Sequence, residues 1–277
     1  MVSMQDIETG LKELPFLSHL SELIKRLVRS LIVFFAFFAF FFVFKPSWIN
    51  YAGLAIPYPV PSLFESFSTE TFFAMKKYIL PQQMLLINVN TFDTFLSVAY
   101  IAMALAAICS LPFWIYEASA FLGPALKPNE KRAVKLILVP ATLLFVAGAF
   151  FSYSVVLPFL FRFLYYFSVS TGVEPTISVL TFVTISIAYT IALGLAFETP
   201  VIMVGLTYAG IVSYSTWLRY WRFAVLGAFI VALIISPGTT GGIMEITIGL
   251  MLSGLYFAGA IISRAVQRKK VRYEDLV

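Results

Sequence analysis

The 44 residues from Pro175 to Leu218 contain one charged side chain, Glu198. A stretch that long and that apolar does not fit a water-soluble fold. About 20 mostly apolar helical residues already cross the roughly 30 Å hydrocarbon core of a bilayer. Similar runs follow one another along the chain, from Ser30 to Phe44, Thr94 to Tyr116, Leu136 to Phe161 and Phe223 to Ser236, and the segment from Ile243 to Ser263 carries only Glu245. Across all 277 residues, 60% are hydrophobic, 29 are Phe and 12% are charged. Soluble domains carry roughly 25% charged residues, and disordered chains are polar and poor in aromatics, so both classes are excluded.

The expected fold class is therefore all-α. The chain reads as a polytopic membrane protein with six transmembrane helices, N- and C-termini cytoplasmic and the last two helices short. Residues 1–277 form a single integral membrane domain. An amphipathic N-terminal segment covers about 14–28, and the spans cover about 29–45, 93–121, 134–160, 176–210, 219–236 and 243–263. A long outer loop occupies about 46–92. Punctuated by Pro57, Pro59, Pro61 and Pro81 and carrying Phe64, Phe67, Phe72 and Phe73, it reads as short amphipathic pieces lying on the outer face. The stretch from Pro175 to Leu218 is one span ending near Gly210 and then a short loop. The fifth span falls short of a full-thickness bilayer, so local thinning or burial behind other helices is expected there. Six spans place both termini on one side, and that side holds 15 Lys and Arg against 4 on the other. The positive-inside rule makes it cytoplasmic. The basic tail from Gln267 to Arg272 is a topology signal or headgroup contact rather than a nucleic-acid arm.

Several chemistries are absent from the sequence. Cys109 is the single cysteine and His19 the single histidine, which leaves no disulfide and no Cys- or His-rich metal site. Cys109 reads as a small core residue beside Ala102, Ala106 and Ser110, whose spacing by four allows close helix approach. Neither a Gly-x-x-x-x-Gly-Lys phosphate loop nor a Gly-x-Ser-x-Gly elbow occurs, so no catalytic residue, metal or cofactor is expected. Asp6, Glu8, Glu13 and Glu22 in the first 29 residues do not fit a cleaved signal peptide.

The few acids then carry the argument. Glu198 lies inside a span, where a carboxylate costs on the order of 2.5–3.5 kcal/mol and must face protein or water. Pro200 two residues later weakens the helix and frees a carbonyl, which makes a kink and a polar recess. A single interhelical hydrogen bond is the alternative role for Glu198. Glu22 sits in a segment whose helical periodicity puts Leu20, Leu23 and Leu27 on one stripe and His19, Glu22 and Arg26 on another. Taken alone, Glu22 and Arg26 make a favoured i,i+4 ion pair. Glu130, taken alone, begins the third helix, where an acid complements the dipole. Glu117 and Glu245 lie near span ends and reach an interface.

Four blocks in order resemble one family. His19-Leu20-Ser21-Glu22-Leu23-Ile24-Lys25-Arg26-Leu27 is similar to the His-Leu-x-Glu-Leu-Arg-x-Arg-Leu motif of TatC, the multispanning core of the twin-arginine translocase. Phe121-Leu122-Gly123-Pro124-Ala125-Leu126 followed by Glu130 resembles its first cytoplasmic loop. Phe197-Glu198-Thr199-Pro200 matches the Phe-Glu-x-Pro of its fourth span, and Ser236-Pro237 with Leu255-Tyr256 is similar to its final hairpin. The long Pro-rich outer loop points to an archaeal or divergent member.

The resemblance implies a signal-peptide receptor and scaffold, located in the cytoplasmic membrane, that exports folded cargo on the proton-motive force. It implies single-span TatA/TatB-type partners, self-association and no nucleic acid. Its binding acids would be Glu22 and Glu130, whose carboxylates accept guanidinium forks that Lys cannot reproduce. Phe121 would pack beside the peptide, and His19, Lys25 and Arg26 would supply neighbouring polarity, since Ile24 replaces the motif's first Arg. Glu198 and Pro200 would be the intramembrane polar point. Ser236 and Glu245 would be partner contacts at an outer hairpin where Pro237-Gly238-Thr239 replaces Pro-Pro-Asp. The alternative is a secondary transporter of a small solute, with Glu198 as its coupling carboxylate.

Overall fold

The computed structural model describes the backbone of residues 4–51, 54–62, 64–122, 128–236 and 241–274, and side chains within these ranges except at 4–18, 48–57, 119, 122–138 and 269–274. Five helical segments are long and apolar enough to cross a membrane, and a sixth, shorter apolar helix accompanies them. The helices place apolar side chains outward on most faces; Ile32, Leu143, Ile234 and Leu250 are all more than half exposed, which suits a lipid surround.

Helix α1 (Met4–Val43) joins the amphipathic segment and the first span without a break. It packs antiparallel on α3 (Asp93–Leu122): Phe42 meets Phe95 at one end, and His19 meets Phe121 at the other. The third span is α4 (Pro128–Phe151), a π-helical turn at Ser152–Val156, and α5 (Leu157–Ser170). Pro158 cannot donate to the Ser154 carbonyl one turn back, and the wider turn accommodates its ring. The fourth span is α6 (Val179–Phe197) and α7 (Thr199–Tyr208). After the short α8 (Tyr214–Arg219) come α9 (Trp221–Ile235) and α10 (Ile243–Glu274).

The segment after α1 differs from the expected amphipathic pieces. It begins with an antiparallel hairpin of β1 (Phe44–Tyr51) and β2 (Leu54–Pro61), in which Pro46 faces Pro59 and Trp48 faces Pro57. Pro57, Pro59 and Pro61 recur every second residue, so all three take the kind of position whose N–H points away from the partner strand. A two-stranded ribbon tolerates proline there. Next, α2 (Phe67–Ile79) is a helix with one buried face, packing Phe72, Met75 and Ile79 against Ile101, Leu157, Phe161, Phe182 and Val183. Strand β3 (Leu85–Ile87) then pairs in parallel with β4 (Thr176–Ser178), tying this segment to the start of α6.

A second apolar cluster joins Val156, Leu160 and Leu193 to Ala232, Met244, Ile248 and Leu252, which fixes α9 and α10 to the rest. Helices α4 and α6 come close enough that a Cβ added to Gly148 would stand 2.6 Å from the Leu193 carbonyl oxygen. Ala102, Ala106 and Ser110 are fully buried, but Cys109, at the edge of their stripe, is exposed rather than a core residue. The basic tail is not separate from the last span. It continues α10, where the Tyr214 N–H donates to Gln267 Oε1 at 2.9 Å.

Candidate functional site

Three helical turns at the 19–29 end of α1 and the facing end of α3 build one charged seam. The i,i+4 spacing puts Glu22 and Arg26 on the same face, and Arg26 donates to Glu22 Oε1 from both Nε, at 3.0 Å, and Nη2, at 2.7 Å. Its remaining nitrogen, Nη1, donates across the helix pair to Glu117 Oε2 at 2.8 Å. The other Glu117 oxygen stands 3.9 Å from Arg29 Nη1. Glu117 is thus a bridge between two arginines of α1, with a side chain only 7% exposed, against 37% for Glu22. Both Arg26 bonds fall on the same Glu22 oxygen, so Oε2 of this carboxylate has no protein partner among the described residues.

One turn beyond Glu117, Phe121 stacks on His19 with centroids 4.4 Å apart and planes 22° apart. The seam therefore brings together His19, Glu22, Arg26 and Phe121 of the expected residues. Lys25 is exposed on a neighbouring face and makes no ion pair among the described residues. Ile24 is likewise exposed. Glu130 lies in the first turn of α4. Its side chain, the connection 123–127 and the basic residues of that turn lie outside the described residues.

Glu117 is the residue that reading the sequence placed no deeper than an interface. The available signal was its i,i−4 relation to Phe121, which puts acid and aromatic on one face of α3. Its partner arginine is 91 positions away and becomes visible only through the antiparallel packing.

Glu198 occupies the junction of α6 and α7, closing one helix and opening the next. The expected kink is a full break in the hydrogen-bond ladder. Pro200 leaves the Ala196 carbonyl without its usual N–H donor, and the Thr199 hydroxyl takes that place at 2.7 Å. Pro200 is buried against α10, where a Cβ on Gly259 would stand 2.9 Å from its Cα. One Glu198 oxygen, Oε1, is buried with no hydrogen-bond partner among the described residues.

Ser236 and Glu245 meet inside the α9–α10 hairpin. The Ser236 hydroxyl donates to Glu245 Oε1 at 2.7 Å, and both residues are buried. They brace one another within this chain. Among the described residues no group of three or more His, Cys, Asp and Glu could hold a metal ion.

Comparison with known proteins gives this geometry its context. Residues 18–261 match the family described as Sec-independent protein translocase protein (TatC). A protein of that name from Cenarchaeum symbiosum (strain A), an archaeal member, is 33% identical over 260 residues, which are 94% of this chain and 98% of its own. The corresponding Deinococcus radiodurans protein is 28% identical over 250 residues, covering 90% of this chain and 86% of its own. Two crystal structures of the twin arginine translocase receptor TatC, one of them in DDM, superpose with TM-scores of 0.66 and 0.68 at 25% and 26% identity. They match 90% and 88% of this chain and 99% of their own. The chain belongs to the TatC family of Sec-independent protein translocase proteins, multi-pass proteins of the cytoplasmic membrane.

Proposed function

We propose that this chain is the signal-peptide receptor and scaffold of a twin-arginine translocase, with Glu22 and Glu130 as the acceptors of the paired arginines. The observation that carries the reading is the seam between α1 and α3. One guanidinium, that of Arg26, is already held between two carboxylates there, and Glu22 still offers Oε2 on an accessible edge. A carboxylate oxygen beside a buried second acid is a strong acceptor for charge-assisted hydrogen bonds. An incoming arginine adds to Glu22, and its neighbour reaches Glu130 on α4. The His19–Phe121 stack forms an aromatic floor beside them. Single-span TatA/TatB-type subunits are the partners this scaffold organises, and Glu198 at the α6–α7 break is their polar docking point within the membrane. The proton-motive force drives transport, and the chain supplies no catalytic group.

Peptide binding tests the assignment. The purified chain in detergent should bind an Arg-Arg signal peptide and bind its Lys-Lys counterpart weakly. Glu22→Gln or Glu130→Gln should weaken Arg-Arg binding by about tenfold or more, as loss of a charge-assisted hydrogen bond requires. Unchanged affinity in both variants refutes the site.

A further inference from the structure

We propose that the outer end of the third span carries a binding groove for an anionic phospholipid, built by the π-helical turn and closed by Arg162. Between α2 and the junction of α4 with α5 lies a groove of about 360 Å³ lined by Tyr78, Ser154, Val155, Pro158, Phe159 and Arg162. Its walls are fixed. Tyr153 stacks on Tyr78 with centroids 5.1 Å apart, and its hydroxyl donates to the Ala74 carbonyl at 3.3 Å, which clamps α2 onto the π turn. Single π turns inside α-helices are frequent at functional sites, and this one, made by Pro158, also shapes the groove wall.

The depth of the groove selects the ligand. The uncharged run of this span extends from Leu136 to Phe161, long enough for the about 20 residues of helix that cross the roughly 30 Å hydrocarbon core with some tilt. Arg162 is the first charge past the outer end of that run, which places it at the level of headgroup phosphates. Val155, Phe159, Arg162 and Tyr166 follow one another at helical spacing and are all exposed. From the membrane interior outward this face reads apolar, apolar, cation, phenol. That order matches acyl chain, acyl chain, phosphate and interfacial zone in a phospholipid.

Among the described residues Arg162 has no acidic partner. The ion pairs among the described residues are those of Arg26, Arg29 and Lys45, and none includes it. A guanidinium with five donors beside a groove whose open side faces acyl chains takes a phosphate with a fork of hydrogen bonds. The groove holds the phosphate and glycerol, and the chains run down past Phe159 and Val155. The site is separate from the charged seam of α1 and α3.

Native mass spectrometry on the full chain tests this, with phosphatidylglycerol added to protein in detergent micelles and phosphatidylcholine added in parallel. The wild type should retain phosphatidylglycerol in preference. Arg162→Gln should lower retention by about fivefold, the weight of one interfacial cation. Arg162→Lys should retain most of it, and Val155→Trp, which fills the groove and leaves the charge, should lose it. Equal retention by the wild type, Arg162→Gln and Val155→Trp overturns the proposal. So does equal stabilisation by water-soluble glycerol phosphate, which would make the site one for a free anion. Unchanged lipid retention together with loss of a protein partner in Arg162→Gln would likewise overturn it.

Discussion

Gly148→Ala isolates how close α4 and α6 must come for the Glu198 junction to sit where it does. The new Cβ would stand 2.6 Å from the Leu193 carbonyl oxygen, 2.8 Å from Phe197 Cγ and 2.9 Å from Gly194 Cα. Two of these three atoms are backbone, so no rotamer change relieves them and the helices must move apart. Overpacking of this kind costs about 1–3 kcal/mol. Replacing a helical glycine by alanine returns at most about 1 kcal/mol. The net expectation is a loss of about 1–2 kcal/mol, which corresponds to a midpoint lowered by roughly 2–8 °C for a domain of this size class. Gly254→Ala is the matched control, because its Cβ meets nothing within 4 Å. It should leave the midpoint unchanged or raise it slightly. Thermal unfolding followed by circular dichroism in one detergent compares the three proteins. A Gly148→Ala midpoint equal to that of the wild type, or equal shifts in both variants, would refute the close-approach argument.

Glu117→Gln keeps the shape of the buried bridge and removes its charge. Hydrogen exchange over residues 19–29 should quicken by on the order of tenfold, as loss of a charge-assisted bond implies; unchanged exchange would mean that Glu117 does not hold α1. At the outer face, Lys45 Nζ lies 2.6 Å from Glu65 Oε2, and that ammonium holds the Glu65 carboxyl below its usual range. Because the folded pKa is the lower one, the contribution of the pair is complete above the ordinary carboxylate value and is lost as pH falls through the folded value. Hydrogen-exchange protection of the β1–β2 hairpin, relative to the intrinsic amide rate at each pH, should therefore fall below about pH 4 and stay level from about pH 6 to 8. Lys45→Gln should remove that acid-dependent step. Glu198→Gln separates receptor from transporter: it should weaken crosslinking to a single-span partner and leave Arg-Arg peptide affinity unchanged. Movement of a small solute into liposomes holding this chain alone, abolished by Glu198→Gln, would favour the transporter instead.

The spans were legible because charge is scarce: each apolar run is bounded by residues such as Arg29, Asp93 and Arg264, whose cost inside lipid sets the limits. The Glu22–Arg26 pair was legible for a local reason, its i,i+4 spacing. Glu117 resisted the same reading because its meaning depends on an arginine in another helix, and no local pattern carries an antiparallel register. The hairpin at 44–61 was hidden by its prolines, which argue against strands in general, although their two-residue period was compatible with a ribbon. Cys109 looked like a core residue beside three small neighbours. It sits at the edge of their stripe, and local spacing does not say how far the neighbouring helix covers that edge. The helical course of the tail was not legible, since basic residues mark the end of a membrane span but not the end of a helix.

Helix α1 has a mechanical consequence. From His19 to Val43 it contains neither glycine nor proline, and of its described side chains Ser30 alone is buried. Those 25 residues make a rod of about 37 Å with no built-in hinge. It is fastened along one flank to α3 and tied at its far end by the Ser62 N–H, which donates to the Val43 carbonyl at 2.7 Å. A lever attached on one side transmits tilt rather than absorbing it. Displacement of the Glu22 end is delivered to the ribbon of β1 and β2 on the opposite face of the membrane, so occupancy on one side can be felt on the other through a single element.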